Sequence, residues 1–217
     1  EDLPENVKKW QPGFLTYSDG EIKPVEVRYR GDNPVNWVGR KKSWRLKTRK
    51  KNLINGTRRF NYLAPQEYDF LRNFLAYRLA NIVGVQTPSS RLVELFVNDR
   101  SYGIYAEVED ITENFLRNRN IMPVNIYKGE QYNSERILYS TNYLFNHPKI
   151  WTKRAVFNRQ HPQVSFVLDR LLDILPDAET SQTGLDKLTR IAPFEAWAKF
   201  AAYQVLANSR HNTDVHN

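Results

Sequence analysis

Arg30, Arg45 and Lys47 fall where a β-hairpin would turn all three side chains to one side, and such a trio suits the holding of an anion. Arginine offers a rigid fork and lysine a point charge, the two side chains that best match phosphate oxygens. Lys42 stands just ahead of the second strand and adds a further cation. The elements that must carry these groups can be read nearby. Val25, Val27 and Tyr29 alternate with Glu26, Arg28 and Arg30, the period-two pattern of a half-buried strand. Gly31, Asp32, Asn33 and Pro34 break it. A second alternating run puts Trp44 and Leu46 on one face and Ser43, Arg45 and Lys47 on the other. Two antiparallel strands with cations converging on one side form a flap that can cover an anion. The plainer alternative is an ordinary hairpin with a solvated basic face, since surface strands often carry Lys and Arg.

At 217 residues the chain has room for one large domain or two small lobes. Hydrophobic residues at 41% and charged residues at 26% are ordinary for a globular protein. No apolar run is long enough to span a membrane, so no transmembrane segment is expected. No secretory leader is expected in this stretch either, and a first residue of Glu1 suggests a processed or cut product. The net charge of +8 favours anionic partners: a nucleotide, a nucleic acid, an acidic protein or an anionic surface. Zero cysteines exclude disulfides, Cys-ligated zinc and thiol chemistry. His147, His161, His211 and His216 are too few and too scattered for a zinc signature except near the end of the chain.

Along the chain, a polar lead-in with a short strand at Gly13 to Tyr17 precedes the hairpin. Lys47 to Lys51 with Arg58 and Arg59 form a basic run around the Asn55-Gly56 turn, and Asn55-Gly56-Thr57 is a glycosylation sequon in a eukaryotic secreted context. Arg59 to Ala64 reads as a strand. Pro65 then opens a helix with Glu67 in its first turn, and Phe70, Leu71, Phe74, Leu75, Leu79 and Ile82 mark its buried face. Gly84 stops it. Arg91 to Asn98 and Tyr102 to Val108 form a hairpin; Ile111 to Arg119 is helical and Asn125 to Lys128 a short strand. The second half changes character. Residues 130 to 160 are irregular, Val164 to Leu175 is a helix, Pro176 to Gly184 a loop, and Leu185 to Ile191 a short piece. Pro193 opens a last helix to about Ala207, with Ala196, Trp197, Phe200, Ala201, Val205 and Leu206 inward.

These pieces resemble the CotH kinase family of atypical protein kinases. Val27-Arg28-Tyr29-Arg30-Gly31-Asp32 is similar to the family's strand and RGN-type turn, and Lys41 to Lys47 to its KKSYRLK strand. Glu67 to Ala76, with Leu71-Arg72, resembles its D-x-x-F-L-R helix start, with Glu67 where Asp is usual. Gly84 with Pro88 fits its G-x-x-x-P link. Val97-Asn98-Asp99 and Gly103 to Glu109 resemble its LNGxYxGxYxLxE hairpin, and Ile126 to Gly129 its N-L-Y-K-G. Between residues 130 and 190 no comparable motif stands out.

The resemblance implies an α+β, two-lobed atypical protein-kinase-like fold. Residues 1–109 would be a β-rich N-lobe with one helix, and 110–217 a mainly helical C-lobe. It implies ATP as phosphate donor, Mg2+ or Mn2+, and a Ser or Thr of a coat or surface protein as acceptor. Lys47 or Lys42 would hold the triphosphate beside Arg30 and Arg45; strand parity favours Lys47, and the family pattern equally permits Lys42. Glu67 would pair with that lysine, braced by Arg72. Glu107 to Asp110 would be the hinge whose backbone reads adenine, with Glu109 binding ribose or holding the hinge and Glu107 and Asp110 solvated. Asp214 would be the catalytic carboxylate and Asn217 a metal ligand, although the family of kinases at large spaces that pair by five residues and here the spacing is three. His211 and His216 would orient either group or a phosphate, or serve as plain hydrogen-bond formers; His211, Asp214 and His216 as metal ligands of a hydrolase is a further alternative. A second metal-binding Asp beyond the catalytic loop is missing from a chain that ends at Asn217, so an incomplete catalyst is expected. The resemblance also implies an extracytoplasmic place, on a spore coat or cell surface. The rival function is a non-catalytic surface or coat binding protein of the same fold. Nucleic acid is not an expected partner, because the Trp and Tyr residues fall at core-like positions rather than along a basic groove.

Overall fold

The period-two runs become strands in a computed structural model, which describes residues 9–31, 41–65, 71–129, 145, 147–157, 160–161 and 165–207. Six of them, β1 (Gln11–Thr16), β2 (Ile22–Tyr29), β3 (Trp44–Thr48), β4 (Arg59–Leu63), β5 (Ser90–Val97) and β6 (Arg100–Glu109), pair antiparallel in the order β1-β2-β3-β4-β6-β5. One face buries Val25, Leu46, Phe60, Tyr62 and Tyr105, with Val27, Trp44 and Val93 packed against them. The sheet curls around that core. Tyr17, just past β1, donates to Glu107 of β6 at 3.2 Å and lies 5.1 Å beneath the guanidinium of Arg91 on β5, although β1 and β5 are opposite edges. Asn98 and Asp99 both take positive φ, 49° and 62°, which gives the β5–β6 hairpin the tight turn that matches strand twist.

On the other face, Leu63, Ala106 and Val108 receive Tyr77 of helix α1 (Arg72–Ile82). The helix ends at Gly84, as read from the sequence: with φ at 78° its N–H reaches Asn81 O, and the Val85 N–H reaches back to Ala80 O at 2.9 Å. Its packed side overlaps the expected one only in part. Of the expected face, Phe74 and Leu79 are half-buried, whereas Leu71, Leu75 and Ile82 are exposed; Ala80 is buried and Tyr77 half-buried instead. The start of the expected helix, with Glu67, lies outside the described residues.

α2 (Glu113–Arg117) is shorter than the sequence suggested. Beyond it come a two-stranded ribbon of β7 (Tyr127–Gly129) and β8 (Trp151–Lys153), then α3 (Phe166–Thr180), α4 (Gln182–Ile191) and α5 (Phe194–Leu206). The loop expected from Pro176 to Gly184 is instead nearly all helix. α3 runs through Pro176, and only Ser181 separates it from α4. Pro176 lacks the N–H that would bond Leu172 O, a local loss that the packing of α3 on α4 outweighs. Ser181 caps α4, its hydroxyl accepting from Gly184 N at 3.0 Å. In α3 Leu168 and Leu172 are buried and Val167 is exposed. In α5 the inward residue is Tyr203, with Phe200 half-buried, while Val205 and Leu206 face solvent. Like α1, this helix does not gather its apolar residues on one face, so its sequence does not choose a side.

The chain divides into two compact units, one of Glu1–Arg78 with Thr87–Met122, the other of Leu79–Gln86 with Pro123–Asn217. The first holds the six-stranded sheet and keeps α2 with it, so residue 109 falls within this unit. The second holds the ribbon and α3 to α5. The class is α+β, with five α-helices among the described residues. None of the described helices is long and apolar enough to cross a membrane.

Candidate functional site

The hairpin cations meet on the outer face of the curled sheet. In the register of β2, β3 and β4, Arg45 stands between Arg28 and Asn61, and Lys47 between Glu26 and Arg59. Arg30 N donates to Ser43 O at 2.8 Å, which extends the ladder and keeps Arg30 on the face of Arg28. Asn61 is buried, and its Oδ1 accepts from two guanidinium groups at once: Arg30 Nε at 3.0 Å and Arg45 Nε at 2.8 Å. Asp110 lies 3.8 Å from Arg45 and 3.9 Å from Arg59. Four arginines therefore share this face with one buried carboxylate. Lys47 is on the same face, paired to Glu26 at 2.9 Å and set against the ring of Trp10. Lys42 is elsewhere: its ammonium lies 5.1 Å from the ring of Tyr29, whose side chain belongs to the core face with Trp44. Parity thus groups Arg30, Arg45 and Lys47 and separates Lys42.

The carboxylates at the end of β6 do different work. Glu109 was expected to bind ribose or hold the segment, and it is buried with every oxygen engaged. Oε1 accepts from Thr57 Oγ1 at 3.1 Å and Asn118 Nδ2 at 3.2 Å, and Oε2 from Ser89 N, Ser89 Oγ and Arg119. That is the geometry of a clamp. Glu107 and Asp110 are not solvated as expected but 6% and 7% exposed, because the curl closes over the first and the arginines flank the second. Glu107 takes Tyr62 Oη at 2.7 Å, Tyr17 Oη and Arg91 Nε at 2.7 Å. Burial, reinforced by the Glu107 charge, pushes the Tyr62 hydroxyl far above its usual pKa, and burial raises Tyr17 as well. A polar cavity of about 580 Å³ borders Glu107, Glu109, Arg91 and Arg119, but these groups are already joined to one another or to the backbone. The backbone N–H groups of Glu109 and Asp110 are likewise donated, to Ser89 O and Arg59 O, so those two cannot read a base.

Glu67, His211, Asp214, His216 and Asn217 lie outside the described residues, and among the described residues no three His, Cys, Asp or Glu side chains gather to hold a metal. Arg72, the expected brace for Glu67, is exposed at the start of α1. Two members of the outer cluster escaped the sequence reading, Arg28 and Asn61, while Arg59 stood there only as part of the basic run around the Asn55-Gly56 turn. Arg28 shares parity with Arg30, which was signal enough. Asn61 was visible as a polar residue of low strand propensity inside the apolar run Phe60 to Leu63. That it joins two arginines follows only from register.

The family described as CotH kinase protein matches residues 27–217. The chain belongs to the CotH kinase family. The CotH match opens inside β2 and takes in the whole outer-face cluster except Glu26, together with Glu67, Asp214 and Asn217. No curated protein matches the chain.

Proposed function

We propose that this CotH family member is an ATP-dependent protein kinase that transfers the γ-phosphate to a Ser or Thr hydroxyl of a protein, of the coat or surface class. Membership of the family over residues 27–217 carries the reading. The outer-face arginines support it, since phosphoryl transfer is mainly positioning and charge stabilisation. Arg30, Arg45 and Lys47 hold the triphosphate, Lys42 stands beside the hairpin, and Glu67 pairs with the strand lysine. Glu109 clamps the end of β6 next to the nucleotide. The hydroxyl oxygen of the acceptor bonds to the γ-phosphorus as that atom's bond to the β–γ bridging oxygen breaks. ADP leaves and the hydroxyl proton passes to Asp214. Asp214 and Asn217 are oxygen donors of the kind Mg2+ or Mn2+ takes, and the metal when bound offsets phosphate charge. A two-lobed kinase-like architecture and a place on a spore coat or cell surface belong to the same proposal.

Asp214→Ala is expected to abolish transfer of label from γ-labelled ATP while nucleotide binding persists. Undiminished labelling by that variant removes Asp214 from the reaction. Binding of ATP by the wild type with no transfer to any protein acceptor leaves the non-catalytic surface protein as the function.

A further inference from the structure

Asn61 sits at the middle of the outer cluster, and its neighbourhood is costly for a sheet to keep. Arg28 and Arg45 are directly opposite in the β2–β3 register, and like charges so placed repel. Arg30 is drawn to the same spot, because its Nε and that of Arg45 share one acceptor atom. That acceptor is uncharged. An aspartate at position 61 would make the same two bonds as charge-assisted ones and cancel part of the repulsion. The amide fixes both guanidinium groups without adding a charge, so Asp110, 3.8 Å from Arg45 and 3.9 Å from Arg59, is the one buried carboxylate set against the four arginines of this face. Fixing each through Nε sets the plane of its fork, and two forks held side by side match oxygens on two neighbouring phosphates rather than on one.

We propose that Asn61 is a positioning residue that aims Arg30 and Arg45 as a pair at a polyphosphate chain. Asn61 does not itself touch the anion; it acts through the two arginines. The identity of that chain as the β- and γ-phosphates of ATP rests on the kinase reading above, while the paired-arginine receptor does not.

The test uses the full chain and titration calorimetry with inorganic pyrophosphate, ATP and adenosine. Asn61→Leu, which keeps the branched skeleton but lacks the acceptor, is expected to weaken pyrophosphate and ATP about tenfold and leave adenosine unchanged. Asn61→Asp covers the case in which the leucine variant fails to fold. It keeps both bonds, and is expected to melt higher than wild type yet bind pyrophosphate about tenfold more weakly. The leucine variant reads the loss of positioning and the aspartate variant reads the added charge; a residue that only supports the sheet, away from the bound anion, would give neither loss of affinity. If wild type binds pyrophosphate and both variants bind it equally well, the role of Asn61 is overturned and the kinase reading is untouched. If wild type binds pyrophosphate but shows no preference for adenosine nucleotides, the kinase reading falls and the receptor stands. If wild type binds none of the three probes, both fall.

Discussion

Glu107 shows how one side chain can hold a curled sheet together. Its carboxylate joins Tyr62 of β4, Tyr17 beyond β1 and Arg91 of β5, so a single buried charge ties three strands across the core. The arrangement requires both phenols to stay neutral. Burial and the Glu107 charge raise the Tyr62 pKa above its value in the unfolded chain, which is about 10. Below that pH both states keep the proton and the stabilisation is whole. Above it the unfolded chain loses the proton while the folded chain holds it, so stability falls as pH rises towards the folded pKa. For Tyr62 the slope approaches about 1.4 kcal/mol per pH unit. Urea unfolding at pH 9, 10 and 11 should show the decline, and Tyr62→Phe should lessen the slope by one proton. An identical slope in that variant would mean Tyr62 ionises normally in the fold.

At the scale of elements, the junction of α3 and α4 depends on Gly184. A Cβ there would come within 2.3 Å of the Asp177 backbone carbonyl, which belongs to the preceding helix and cannot rotate away. Alanine is the better helix former by about 1 kcal/mol, but backbone overlap is the larger effect. Gly184→Ala should therefore destabilise the protein by about 2 kcal/mol, measured as a shift in the urea midpoint with little change in slope. A variant as stable as wild type would show that the two helices can move apart freely. The α3–α4 contact also explains why Pro176 does not end its helix: tertiary packing decides where a marginal local signal is overruled.

For the molecule as a whole, ligand linkage gives the simplest check on nucleotide binding. ATP with magnesium at 100 times its Kd should stabilise the native state by about 2.7 kcal/mol and raise Tm in a concentration-dependent way. The chain's net charge of +8 predicts that the effect shrinks as salt is added, since part of the attraction is long-range. A Tm indifferent to ATP at millimolar concentration would argue against a nucleotide-binding CotH kinase and for a surface protein that uses the fold without catalysis.

Local pattern was enough to define the strands of the sheet, the hairpin of Arg91 to Asn98 with Tyr102 to Val108, the stop at Gly84 and the shared side of Arg30, Arg45 and Lys47, because period-two alternation and helix-ending glycines are properties of a few consecutive residues. The motifs that suggested the CotH family were equally local and in order. Only the tertiary structure decided the rest. Which side of α1 and α5 is packed depended on neighbours, because neither helix gathers its apolar residues on one face. Glu107 and Asp110 became buried because the sheet curls and because arginines from β3 and β4 arrive beside them. Asn61 became the shared acceptor of two arginines through the register of three strands, a relation between residues 16 and 31 positions apart that no short stretch of sequence contains.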